Sequence, residues 1–117
     1  MLRKEELKYI LDVESIIEEL EGIKAHHQND FTNFEKSYIS IRAVERDLMI
    51  IGEAIGKLKK LNPQIPITDI DNIIGLRNLI VHSYDSVDSA NLWVIIIKDL
   101  PILKKEMKDL REGNKST

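Results

Sequence analysis

Apolar residues recur along this chain at spacings of three and four, the pattern of helices that each bury one face. The first stretch covers residues 3–26, where Leu7, Ile10, Leu11, Ile17, Leu20 and Ile23 are separated by acids and lysines. Gln28-Asn29-Asp30 reads as the turn after it. Thr32-x-x-Glu35 has the form of a capping box, so a second helix is expected to start there. Its apolar spacing continues to about Leu61, a length of roughly 28 residues and about 42 Å. Phe34, Tyr38, Ile41, Leu48, Ile55 and Leu58 make one stripe, and Ala43, Ile50 and Leu61 lie opposite. A helix that is apolar on two sides is central in a bundle or shared with a second chain. Gly52 and Gly56, one turn apart, read either as a place of close backbone approach or as residues that the packing tolerates.

Asn62-Pro63-Gln64-Ile65-Pro66 ends the second helix, because proline cannot continue it. Thr68-x-x-Asp71 offers a cap for a third helix, expected to reach about Ser83. Asp85-Ser86 is the next turn, with Ser86 or Asp88 capping a fourth segment. Leu92, Trp93, Ile95, Ile96 and Ile97 are expected to pack that segment into the core, with Trp93 as an anchor. Pro101 should kink or split it, and Leu103, Met107 and Leu110 carry the spacing onward. Gly113 to Thr117 reads as a disordered polar tail. The expectation is an all-α, up-and-down bundle of four to five helices in one domain, residues 1–112, with residues 113–117 as the tail.

Composition narrows the class. A chain of 117 residues with 43% hydrophobic and 32% charged residues is an ordinary single globular domain. It has no cysteine, which excludes a disulfide framework and a thiolate metal site. The longest apolar run, Leu92 to Ile97, is too short to span a bilayer. The first residues hold no apolar signal core, so a cytoplasmic location is expected. The net charge of −3 counts against a general nucleic-acid binder. Any nucleic-acid chemistry would need a cleft that focuses the field of a few cations.

One stretch breaks the apolar pattern. In the third helix Ile70, Ile73, Ile74, Ile80 and Val81 share a face, and Arg77 falls in the middle of it. A guanidinium cannot shed its charge, and burying it unpaired is costly. The face therefore holds a buried acid partner or opens to an anion. Tyr84 returns to nearly the same direction, and Asn78 and His82 form a neighbouring stripe at i and i+4. Arginine grips phosphate oxygens with a planar fork. Histidine transfers protons near neutral pH, and asparagine can orient it or donate to phosphate. This is a phosphate-chemistry set that requires no metal. Each residue also has a purely structural alternative: Arg77 paired with Glu53 or Asp47, His82 at a helix C-terminus, Tyr84 as an interface aromatic. Taken together, four polar groups on one edge of an apolar helix favour a shared chemical purpose.

Arg77-x4-His82-x-Tyr84, with Asn78 after the arginine and Gly75-Leu76 before it, resembles the signature of HepT-type toxins of the HEPN superfamily. Arg46 to Ala54 looks like that family's long second helix, and Asp88 to Trp93 with Leu100-Pro101 like its last helical segment. Ile70 stands where many relatives carry an aromatic. The resemblance implies a metal-independent endoribonuclease toxin acting as a homodimer around a shared cleft. Arg77, His82 and Asn78 would be catalytic, and the product would carry a 2′,3′-cyclic phosphate. It further implies a type VII toxin–antitoxin pair, in which a minimal nucleotidyltransferase antitoxin moves AMP from ATP onto Tyr84. ATP would then be the partner's substrate, and this chain would need no cofactor. Arg46 and Glu53 would support the cleft; from the residues alone, Arg42, Arg46, Met49 and Glu53 read as a solvated stripe. His26 and His27 read as exposed helix-end residues, since neighbours point about 100° apart on a helix. A different class of function stays open at this point: a non-catalytic helical subunit that binds a nucleotide or the nucleotidyltransferase.

Overall fold

The computed structural model describes residues 2–68, 71–73, 75 and 88–115. Helix α1 spans Lys4–His26, α2 is the short Phe31–Glu35, and α3 spans Tyr38–Leu61. Later come α4, Ser89–Val94, a wide π-helical turn, Ile95–Asp99, and α5, Leu100–Lys115. No strand occurs among the described residues, so the protein is all-α. Among those residues, no helix is long and apolar enough to cross a membrane.

The core is built on two seams with the same rhythm. On α1 the buried positions are Glu6, Ile10, Val13, Ile17 and Leu20. On α3 the buried set includes Val44, Leu48, Ile51, Ile55 and Leu58. Both advance by alternating steps of four and three, which keeps one side of each helix facing its neighbour. The helices run antiparallel. At one end His27 shares a 2.8 Å hydrogen bond with the Ser40 hydroxyl. At the other, the Lys57 ammonium lies 5.4 Å from the centre of the Tyr9 ring. Helix α5 is antiparallel to α1 as well. Arg111 donates to both carboxylate oxygens of Glu14 at 2.7 and 3.1 Å, and Lys104 donates to Glu21 at 2.8 Å. Leu100, Leu103 and Met107 are its buried face.

Several boundaries differ from those read off the sequence. The expected second helix is two helices. Asp30, not Thr32, is the first cap, accepting from the Thr32 N–H at 2.8 Å. The chain breaks at residues 36–37, and Ser37 caps α3 by accepting from the Ser40 N–H at 3.2 Å. The break turns Tyr38 and Ile39 outward, each 72% exposed, so Tyr38 is not part of the core stripe. Leu11 and Ile97 are exposed too, while Val13 and Ile96 take core positions. His27 is the other correction. It is not an exposed helix-end residue, because the left-handed Gln28 and Asn29 (φ 54° and 57°) fold the chain back over it. Its ring is buried and meets Phe34 edge-on, with centroids 6.0 Å apart. His26 remains exposed.

Other expectations hold. Residues 62–66 end α3, and the chain after the helix tucks Ile65 and Ile67 into the core. Asp88 caps α4, accepting from the Ala90 N–H at 3.0 Å. Trp93 is buried, 5.0 Å from Phe34 between ring centroids. Pro101 has no N–H and its ring crowds the carbonyl four residues earlier. The chain answers with the π turn just before it, where the Leu100 N–H reaches the Ile95 carbonyl. Helix α5 continues through Gly113 to Lys115, into the stretch read as a tail.

Gly56 decides one open alternative within the chain. A Cβ placed there meets nothing within 4 Å, so no backbone of the described residues presses on it. Gly56→Ala should therefore raise stability by about 0.5–1 kcal/mol, the usual gain from replacing a helical glycine. A urea melt reads this directly. A fall instead would show that a backbone beyond the described residues, from this chain or a second copy, lies against Gly56.

Candidate functional site

The residues of the Arg77, Asn78, His82 and Tyr84 constellation lie outside the described residues. What the structure places are the two ends from which that segment hangs and the helix α3 that carries the proposed cleft residues. Before the segment, Lys59 donates to Asp71 at 2.6 Å, and the Thr68 N–H donates to Glu106 at 2.7 Å. Residues 71–73 are helical, and Ile73 packs against the core. After the segment, the Asp88 cap starts α4, and Trp93 clamps α4 onto Phe31 and Phe34 of α2. Both flanks are thus held to the bundle by side chains on other elements.

Arg46 and Glu53 sit two turns apart on α3, and both are exposed. Arg42 pairs at 2.9 Å with Glu45, whose residue is buried. Glu53 lines a groove of about 320 Å³ between α1 and α3, together with Lys8, Tyr9, Asp12 and Lys57. The structure thus assigns Glu53 to the α1 side of the helix. Among the described residues, no three His, Asp or Glu side chains are grouped so as to hold a metal ion.

Asp47 is the titratable residue that sequence reasoning undervalued. It is only 5% exposed, and its Oδ2 is buried with no hydrogen-bond partner among the described residues. Burial, and then the Glu19 carboxylate on α1, push its pKa up to about 6, against the opposing pull of the Arg46 guanidinium. Its position among Val44, Leu48 and Ile51 on the apolar face of α3 was the available signal. A carboxyl in that position is costly to ionise, and such groups concentrate at functional sites.

The comparisons with known proteins agree with this architecture. The family described as Ribonuclease HepT-like matches residues 13–110. The chain belongs to the HepT-like ribonuclease family. A candidate RNase from Caldanaerobacter subterraneus subsp. tengcongensis is 32% identical over 114 residues, covering 93% of this chain and 94% of that protein. Another, from Methanocaldococcus jannaschii, is 32% identical over 111 residues, covering 92% of this chain and 98% of its own. A candidate ribonuclease HepT from Thermococcus cleftensis is 36% identical over 74 residues, 60% of this chain and 64% of that protein. No solved structure matches the chain. For a HepT-like protein the family match takes in all of α2, α3 and α4 and the whole interval that carries Arg77, His82 and Tyr84.

The Asp47 carboxyl makes stability depend on pH with a definite sign. Its pKa is higher folded than unfolded, so between about pH 4 and 6 the native state binds the extra proton. The Asp47 contribution to stability is fully present below that window and is lost as pH rises through about 6. The full difference corresponds to about 3 kcal/mol. Asp47→Asn should therefore stabilise the protein at pH 7.5 by about 1–3 kcal/mol, with the gain vanishing near pH 4. Denaturant melts of both proteins across pH 4–8 test this. A gain of equal size at both ends of the range would show that charge is not the cause.

Proposed function

We propose that this HepT-like chain is an endoribonuclease that cleaves RNA without a metal ion and is silenced by AMP transfer to Tyr84. The observation that carries the reading is the Arg77-x4-His82-x-Tyr84 spacing inside a chain whose residues 13–110 match a ribonuclease family. In the reaction, a ribose 2′-oxygen attacks the adjacent phosphorus and its proton passes to a base. The bond from phosphorus to the 5′-oxygen breaks, and that oxygen takes up a proton. The products are a 2′,3′-cyclic phosphate end and a 5′-hydroxyl end. His82 is the proton-transfer group, Arg77 neutralises charge on the phosphorane oxygens, and Asn78 orients His82 or donates to phosphate. One histidine makes one transfer at a time. A homodimer would bring a second His82 and a second Arg77 to one cleft. Arg46 adds positive charge to that cleft.

Silencing follows from the same chemistry. The Tyr84 hydroxyl gives its proton to a base or solvent, its oxygen attacks the α-phosphorus of ATP on a minimal nucleotidyltransferase partner, and the bond to pyrophosphate breaks as pyrophosphate leaves. The AMP brings a negative phosphate and its bulk beside Arg77 and His82, where it occupies the anion site and repels RNA. This role leaves ATP as the partner's substrate.

His82→Ala should lower RNA cleavage by about 10²–10⁴-fold, the usual worth of a general acid or base, with wild-type activity persisting in EDTA. Sequencing of RNA ends after induced expression reads both cleavage and end chemistry. Equal RNA profiles for soluble wild type and variant, with Tyr84 unmodified, would favour a non-catalytic binding subunit. Tyr84→Phe should cleave RNA yet take up no AMP from the nucleotidyltransferase and ATP, as intact mass spectrometry would show. AMP on the Phe variant would place the modification elsewhere.

A further inference from the structure

A second groove, of about 440 Å³, opens beside the residues that lead into the motif segment. Ile73, Ile95 and Ile102 give it an apolar lining, and Asp71, Asp99 and Glu106 give it an acidic one. No lysine or arginine lines it among the described residues. Asp99, Ile102 and Glu106 follow one another at spacings of three and four, so they share one face. Ile102 is 51% exposed there, an aliphatic side chain standing in water between two carboxylates. Two of the acids are already engaged: Asp71 by Lys59 and Glu106 by the Thr68 N–H. Asp99 makes no hydrogen bond or ion pair with any described residue and is exposed.

The signs decide what can sit here. A nucleic-acid strand would bring phosphates against three carboxylates, which is repulsive. An apolar lining between carboxylates complements the reverse pattern, an apolar side chain flanked by cations. We infer that this groove docks a basic, apolar segment of a second protein: a helix or turn that places one or two large aliphatic side chains on Ile73 and Ile102 and a lysine or arginine on Asp99. Such a partner would cover Asp71, six residues before Arg77 in the chain. The inference does not depend on the ribonuclease reading, because it concerns binding alone.

The test uses the full-length protein and a fluorescein-labelled amphipathic helical peptide of leucine and lysine, with a leucine–glutamate peptide of the same pattern as comparison. Fluorescence anisotropy should show binding of the Leu/Lys peptide and none of the Leu/Glu peptide. The double variant Asp99→Lys, Ile102→Ser should weaken binding at least tenfold. The near-isosteric Asp99→Asn should weaken it several-fold and guards against a folding defect in the double variant. Glu5→Lys, an exposed charge reversal on the outer face of α1, should leave it unchanged. Equal loss with Glu5→Lys would reduce the effect to bulk charge and overturn the inference. So would undiminished binding to both Asp99 variants, displacement of the peptide by single-stranded RNA, or a change in oligomeric state of the double variant by sedimentation, which would make the occupant a second copy.

Discussion

The seam between α1 and α3 sets the register of the elements around it. Its buried side chains advance by fours and threes on both helices, so neither can slide or rotate without exposing several aliphatic residues at about 1.5–3 kcal/mol each. The His27–Ser40 bond at one end and the Lys57–Tyr9 contact at the other show the two helices aligned over most of their length. Helix α5 is then held to the opposite flank of α1 by Arg111 and Lys104. With α3 and α5 both placed by α1, the chain between them must start at Lys59–Asp71 and end at the Asp88 cap. The motif interval is strung between those two fixed points.

Two buried titratable side chains show how differently a helical core treats polarity. His27 enters the core with a partner, since Ser40 meets its ring nitrogen and Phe34 packs against the ring edge-on. Its burial is therefore inexpensive, because a satisfied polar group loses little on leaving water. Asp47 enters the core with one oxygen unmatched, and a neighbouring carboxylate on α1 adds to the cost of its charge. The protein carries that cost at neutral pH in the middle of the helix that also bears Arg46 and Glu53. A purely structural core would be more stable with an amide or an aliphatic residue there.

The acidic composition also takes on a shape. A net charge of −3 reads as an obstacle to RNA binding when it is treated as uniform. In the folded chain three carboxylates gather along one groove, and the α1–α3 groove mixes Lys8 and Lys57 with Asp12 and Glu53. Charge is sorted by face, so net charge is a poor guide to any one surface.

The sequence by itself determined the local events. Helical spacing, the prolines that end α3, the Asp88 cap and the Pro101 disturbance all act through backbone hydrogen bonds within a few residues. They are legible without knowing what packs where. The motif was legible for the same reason, as residue types at a fixed spacing. The tertiary structure alone decided burial. Whether His27 faces water depends on a left-handed turn that brings Ser40 and Phe34 over it. The long helix is divided at two local caps, Asp30 on α2 and Ser37 on α3. The exposure of Tyr38, Ile39 and Ile97, the burial of Asp47 and the acid-rimmed groove likewise follow from which faces meet. A one-dimensional periodicity cannot specify that, because the same stripe can face a helix, a second chain or solvent.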